Sequence, residues 1–520
     1  MTYDIAVLNG TVFDGTGADG VRANVGIEGG TICYVGPEKI AATSQIDAQG
    51  KVVCPGFIDM HTHNDLRLFL REPLRILEGI TTEVIGNCGF SAFPSPSNRH
   101  SLIRSFAEPL LGGYTIDWPW VTAEEYIDAL SSSKPLVDPV LLVGHGTLRL
   151  AICGEHAYEH GVTSENLALM CDKLDTCLKT PSVHGLSLGL EYPPGSYADT
   201  AELVALAEVV AKHGGLVAVH LRDQYRGLLV SLDEMFDVVR ATGVRCQVSH
   251  LQSCQGPEKV PIRQALDRIH TARANGCDIS FDLYPYLAGS TVLTYLLPQW
   301  MMQGGVPKML SRIRSTQDRN RALVELRDRP KTPWDKVVLT SFPGVGNHDM
   351  LGSDLASLAM HRRVSPELFL LELLEMSKGA GNIITFNKEE KDVQAVFQDP
   401  LACIGSDAVW ADGIPHPRYT ASFSRFLARY VIQGEMMSLQ EGIRRCTYLP
   451  ASILGLKTIG KIATGYRANT VVFSPKALAD RATYTDPCAS SRGIQHVILG
   501  GQHVVADGHM RHHGSEKFYC

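Results

Sequence analysis

The segment Cys54-Pro55-Gly56-Phe57-Ile58-Asp59-Met60-His61-Thr62-His63-Asn64-Asp65 closes a short apolar run, Val52 to Met60, with two histidines one residue apart and a carboxylate just beyond. Residues i and i+2 of a β-strand share a face, so His61 and His63 present two imidazoles side by side where the strand ends. Two neutral imidazoles on one face are half of a zinc-type metal site. An isolated His-x-His also arises by chance, and the reading therefore depends on further ligands elsewhere in the chain.

Outward from this run the pattern is one of apolar strands separated by helical segments, the signature of a parallel sheet covered by helices. The candidate strands are 52–58, 82–85, 140–143, 185–188, 216–219, 245–248, 278–283 and 402–404. Eight is the count for a closed α/β barrel, the (β/α)8 or TIM-like fold, whose reactive groups stand at the carboxy ends of the strands. The residues just past these ends are informative: His61 and His63 at the first, Asn87 and Cys88 at the second, His145 at the third, Glu191 and Tyr192 at the fourth. The later runs lead into His220 and Arg222, His250, Tyr284 and finally Asp407. A single buried histidine is usually structural. Histidines after strands one, five and six together with an aspartate after the eighth are not independent accidents.

The first fifty residues differ, being short β-rich runs punctuated by Asn9-Gly10, Asp14-Gly15 and Gly29-Gly30, the hairpin signal. Residues 465–473 and 496–505 have the same character, so the termini are expected to pair into one small β-sandwich. This divides the chain into 1–54 and 451–520, the two parts of the sandwich, and a barrel over 55–450. Two long segments stand out as candidate lids: 90–119, and an insertion over about 288–348. The second carries Tyr295, Trp300, Met301 and Met302, which either pack a small helical subdomain or close over a substrate side chain.

At 520 residues, 44% hydrophobic and 20% charged, the chain has ample material for a large core. A formal net charge of -7 argues against a nucleic-acid partner, which needs a basic face. No apolar run reaches membrane-spanning length, and the start lacks the features of a secretory signal. The thirteen cysteines are irregularly spaced and are expected to be reduced thiols in the cytoplasm. There is no CxxC pair, so a metal-binding cysteine must act alone beside ligands from elsewhere.

Several motifs taken together resemble the amidohydrolase superfamily and, within it, the N-acyl-D-amino-acid deacylases or D-aminoacylases. They are Pro55-Gly56-Phe57-Ile58-Asp59 leading into His61-Thr62-His63, Gly86-Asn87-Cys88-Gly89, Val143-Gly144-His145-Gly146, Gly189 to Gly195, His220-Leu221-Arg222, Ser249-His250, Tyr284-Pro285-Tyr286, Gly405-Ser406-Asp407 and His416-Pro417-Arg418. The resemblance covers nearly the whole chain, and Asn87-Cys88-Gly89 is its narrowest marker. It implies a barrel of the metal-dependent hydrolase type, with a tight zinc on Cys88, His220 and His250. A second, weaker metal position would use His61, His63 and Asp407, with Cys88 able to bridge. It further implies Asp407 as general base and acid, and Tyr192, Arg222, Gln252, Tyr284 and Arg418 as substrate-binding residues. Of these, Arg418, Tyr192 and Tyr284 would hold the α-carboxylate, the guanidinium through a bidentate pair. The substrate implied is a small N-acyl amino acid; no nucleic acid or membrane is a partner, and homo-oligomeric association is left open.

Two positions depart from the family pattern. Gln252 stands where several of these deacylases have a lysine, and Ala408 where glycine is frequent. A rival reading is a cyclic amidase of the hydantoinase or dihydroorotase kind, but these usually bridge two metals with a carboxylated lysine, and Glu191 and Tyr192 stand after the fourth strand instead. An inactive scaffold is the other alternative, against which the six retained ligands speak.

Overall fold

Eight parallel strands pair in chain order: Phe57–Asp59, Ile80–Ile85, Asp138–Gly144, Val183–Gly189, Leu216–His220, Arg245–Val248, Ile279–Leu283 and Ala402–Ile404. In this computed structural model, which describes residues 2–112, 116–256, 258–343, 348–410 and 413–511, the first and last strands also meet. The Met60 amide donates to the Ile404 carbonyl at 3.2 Å, and Thr62 bridges Ala408 in parallel. The strands are buried along almost their whole length because helices cover the outside, which is why they read as continuous apolar runs. The helices pack through faces such as Leu203, Leu206 and Val210 of Thr200–Lys212.

The run 52–58, expected as one strand, is two. Val52–Pro55 pairs with Thr470–Phe473 and with Thr2–Val12, and only Phe57–Asp59 enters the barrel. The break falls at Gly56, where a Cβ would stand 2.1 Å from Thr81 Oγ1, so only glycine lets the chain cross so close to its neighbour. Strands from both termini form a single hydrogen-bonded sheet of nine, with Val52–Pro55 joining the amino-terminal and carboxy-terminal halves. Its own apolar cluster includes Ile5, Val7, Val25, Ile27, Val472 and Ile498, apart from the barrel core. Residues 512–520 of the expected carboxy-terminal sandwich lie outside the described residues.

The excursion between the seventh and eighth barrel strands covers more chain than 288–348. Ala288–Val292, Val337–Ser341 and Asn382–Phe386 form an antiparallel three-stranded sheet, and the last of these lies well beyond 348. This unit has a separate core in which Met301 and Met302 are buried, with Tyr295 and Trp300 packed at its edge. The described part of segment 90–119 packs onto the barrel rather than lying over it: Phe93 and Trp118 are buried in the main core, as is Trp120 just beyond, on which Phe69 stacks. Residues 113–115 and 344–347 of these two segments are outside the described set. Among the described residues no helix is long and apolar enough to cross a membrane. Among the described residues eleven cysteines are free thiols; Cys488 is disulfide-bonded and departs from the expected reduced set.

Candidate active site

Cys88, His250 and Asp407 share an uncommon backbone. Each comes just after the end of a barrel strand, and each has a positive φ, 52°, 37° and 49°. Non-glycine residues adopt this left-handed region at a cost, and such positions concentrate at functional sites. Here the turn carries the chain out of the strand direction as soon as the strand ends. The Gly86 to Gly89 turn lies directly on the fourth strand, since a Cβ at Gly189 would stand 1.9 Å from the Cys88 carbonyl oxygen.

These turns converge. Cys88 Sγ is 3.3 Å from His61 Nε2, 3.7 Å from His220 Nδ1 and 3.6 Å from His250 Nε2. His63 Nε2 and His61 Nε2 stand 3.2 and 3.5 Å from Asp407 Oδ1. Two groups of metal-ligating atoms result, His61 with His63 and Cys88, and Cys88 with His220 and His250, so the thiol belongs to both. A tetrahedral zinc with bonds of about 2.3 Å to sulfur and about 2.05 Å to nitrogen sets those atoms about 3.6 Å apart. The Cys88 distances to His220 and His250 match that spacing, and the donor set of one thiolate and two imidazoles suits zinc.

The charges also suit a cation. Burial pushes the Cys88 thiol up, but His61, His220 and His250 together hold it well below its usual range, which favours the thiolate. Burial likewise disfavours charge on His61, yet Cys88 and Asp407 raise it well above the ordinary imidazole value. The cluster thus keeps a proton among buried anions, and a divalent ion displaces such protons when it binds. Burial raises Asp407, against which Arg418, His61 and His63 hold it well below the carboxylate range.

Outer groups fix the ligands. Glu191 Oε2 lies 3.1 Å from His220 Nε2, so His220 turns its Nδ1 to the thiol, and Gln224 packs on the same nitrogen at 2.8 Å. Asp282 Oδ1 lies 3.6 Å from His61 Nδ1 and accepts from the His250 amide at 2.9 Å. Asp59 Oδ1 accepts from the amides of His61 and Ser406, tying the first and eighth strand ends together, and its other oxygen pairs with Arg75. Such partners orient metal ligands and set their basicity. His145 points away from this cluster and pairs with Glu202 at 2.7 Å.

Beside the thiol is a small cavity walled by Tyr192, Gln252, Tyr284, Glu191 and Asp407, with Tyr295, Ser290 and Thr291 from the insertion. It adjoins a second cavity of about 380 Å³ that shares Glu191, Gln224, Cys254 and Tyr295. Three of the expected substrate-binding residues, Tyr192, Gln252 and Tyr284, therefore face the metal cluster. Arg418 reaches the cluster from behind: it is fully buried, with Nη1 2.9 Å from Asp407 Oδ2 and Nη2 donating to the Ser290 carbonyl. Arg222 is also elsewhere, forking onto Glu234 and donating to the carbonyls of Ser196 and Ala198. Both arginines are held by internal partners, a use that motif position alone does not distinguish from ligand binding.

Residues 45–283 and 372–505 match the amidohydrolase family. The chain belongs to that family. Within the amidohydrolases it is 33% identical to an N-acyl-D-glutamate deacylase of Alcaligenes xylosoxydans xylosoxydans, over 96% of this chain and 93% of the other. It is similar in structure to an N-acyl-D-glutamate deacylase of Bordetella bronchiseptica complexed with zinc and a phosphonate inhibitor that mimics the tetrahedral intermediate. The TM-score is 0.82 at 31% identity, covering 98% of this chain and 99% of that one. A D-aminoacylase structure concerned with a binuclear metal centre, one-metal activation and second-metal attenuation gives a TM-score of 0.83 at 30% identity, over 98% of each chain.

Several groups of this amidohydrolase site escape a sequence reading. Gly289, Ser290, Thr291, Thr385 and Asn387 reach the cavity from the inserted sheet, and no local pattern announces them. Asp282 did leave a signal, a carboxylate inside an otherwise apolar strand end, which in a barrel interior demands a partner.

Proposed function

We propose that this amidohydrolase is a zinc-dependent deacylase that hydrolyses the amide bond of an N-acyl-D-amino acid to a carboxylate and a D-amino acid. The observation that carries this reading is the Cys88 sulfur, within 3.7 Å of three imidazole nitrogens and close to Asp407 through His61. Cys88, His220 and His250 would hold the tight zinc, and His61, His63 and Asp407, with Cys88 bridging, a weaker second ion. Zinc held there supplies a Lewis acid for the amide carbonyl and a lowered pKa for water. Asp407 takes the proton of the attacking water on a carboxylate oxygen and delivers it to the departing nitrogen. The Arg418, His61 and His63 contacts that lower its proton affinity keep it ionised and so able to accept that proton. Tyr192, Gln252 and Tyr284 line the substrate cavity, and Arg418 holds Asp407 in place from behind.

In this reading 55–450 is the catalytic barrel, and 1–54 with 451–520 a supporting β-domain. The eleven free thiols among the described residues favour a reducing compartment, the cytoplasm, although the disulfide at Cys488 runs the other way. The absence of a lysine after the fourth strand, where Glu191 braces His220, sets the cyclic-amidase alternative aside. A screen of N-acetyl-D- and N-acetyl-L-amino acids, with zinc measured on the same sample, tests the proposal. Turnover of D-substrates is expected; activity confined to L-substrates or cyclic imides overturns it.

A further inference from the structure

Among the described residues, four buried or half-buried cations lie around the two cavities, and three already have acidic partners. Arg418 pairs with Asp407, Lys331 with Glu191 and Arg222 with Glu234. Lys388 does not. It stands just after the inserted strand Asn382–Phe386 and is buried, 6% exposed. Its amine donates to the Tyr284 hydroxyl at 2.8 Å and to Asn387 Oδ1 at 3.4 Å, and no carboxylate of the described residues is within ion-pair distance. A buried amine with only neutral partners tends to give up its charge unless an anion joins it.

The amine also has a way to the cavity. Tyr284, Asn387 and Gly289 are wall residues, and a Cβ built on Gly289 would lie 3.3 Å from the Tyr284 hydroxyl and 3.7 Å from Lys388 Nζ. The missing side chain at Gly289 thus leaves a notch in front of both donors. Tyr284 in turn donates to Gln252 at 3.3 Å, so the amine and Gln252 flank one hydroxyl. Gln252 itself brings no charge.

We propose that Lys388, with the Tyr284 hydroxyl, receives the α-carboxylate of the substrate in the notch at Gly289, making the inserted sheet a source of substrate specificity. This rests on the deacylase reading above. Burial drives the free amine down to about 7, and a bound carboxylate would restore its charge.

The test uses zinc-loaded full-length protein with N-acetyl-D-leucine and its carboxamide, N-acetyl-D-leucinamide, as probes. Wild type should prefer the carboxylate. Lys388→Met should raise KM for the carboxylate about 10- to 100-fold, the scale of one charge-assisted hydrogen bond, with kcat changed only a few-fold and the carboxamide unaffected. Gly289→Ala, which leaves the lysine but fills the notch, should raise the same KM and provides the test if Lys388→Met fails to fold. An unchanged KM in either folded variant, or a kcat loss with KM preserved, overturns the proposal. If wild type turns over neither compound, the deacylase reading fails separately. Calorimetric titration of the same pair, then free of turnover, decides the lysine alone: carboxylate-selective binding lost in Lys388→Met supports it, and equal or no carboxylate binding overturns it.

Discussion

Arg418 Nη1 stands 2.9 Å from Asp407 Oδ2, while Asp407 Oδ1 faces His61 and His63. The two carboxylate oxygens therefore have separate duties, one toward the metal ligands and one toward a buried guanidinium. That division explains how a fully enclosed carboxylate stays ionised against the cost of burial.

Removing the guanidinium should raise the proton affinity of Asp407. In Arg418→Met the acid limb of the pH dependence of kcat/KM should move to higher pH by about one unit or more, because a base that protonates more easily is lost sooner as pH falls. Arg418→Lys should recover part of the shift. An acid limb that does not move would separate Asp407 from the role of base.

Asp407→Asn keeps the shape of the side chain and removes its proton-accepting charge. The tight zinc should remain on Cys88, His220 and His250, while kcat falls by about 10²- to 10⁴-fold, the usual range for a positioned acid-base group. Metal analysis and turnover on one preparation check both parts. Full turnover would contradict the assignment.

Glu191 braces His220, and although burial pushes it up, Lys331 and His220 bring it down to about 2. A carboxyl whose folded value is depressed contributes stability above its unfolded value and loses it only as pH falls through the folded one. Glu191 thus stays charged throughout the working range. Glu191→Gln should weaken the tight zinc about 10- to 100-fold in chelator competition, as removal of such outer partners does. Unchanged affinity would show that His220 needs no brace.

Much of this site is legible in the amino-acid sequence, and the reason is the barrel. A parallel barrel places every strand end on one rim, so His61, Cys88, His220, His250 and Asp407 can be gathered from strand order alone. Side-chain direction is not fixed that way. His145 comes after a strand like the others yet turns to Glu202, and Arg222 turns to Glu234, because each finds a carboxylate on a neighbouring helix. The split at Gly56 is hidden because Val52–Pro55 and Phe57–Asp59 form one apolar run although they serve different sheets. Lys388 is invisible for a third reason. It reaches the site from an insertion about a hundred residues away from Tyr284, and periodicity carries no information over such a distance.

Glu78 lies in a buried cluster with Arg75, Asp59 and Glu83 beneath the first two strands. Burial outweighs the pull of Arg75 and raises its carboxyl to about 8. A raised group stabilises the fold below its unfolded value, and that contribution is lost as pH rises through the folded value. Wild type should therefore lose stability between roughly pH 4.5 and 8, whereas Glu78→Gln, which can still accept from the Ser424 amide, should lose less, by on the order of 5 kcal/mol. Thermal unfolding across that range measures the difference, and parallel curves would show that Glu78 does not titrate there.

The proposed function turns on Cys88 as the anchor of the metal on which hydrolysis would depend. Zinc content and turnover should be measured together on wild type, on Cys88→Ala and on the double variant His61→Ala/His63→Ala. Cys88→Ala should lose its tightly bound zinc and its activity, while the double variant keeps a tight zinc on Cys88, His220 and His250. A Cys88→Ala protein that retains its full zinc would contradict this role for the thiolate.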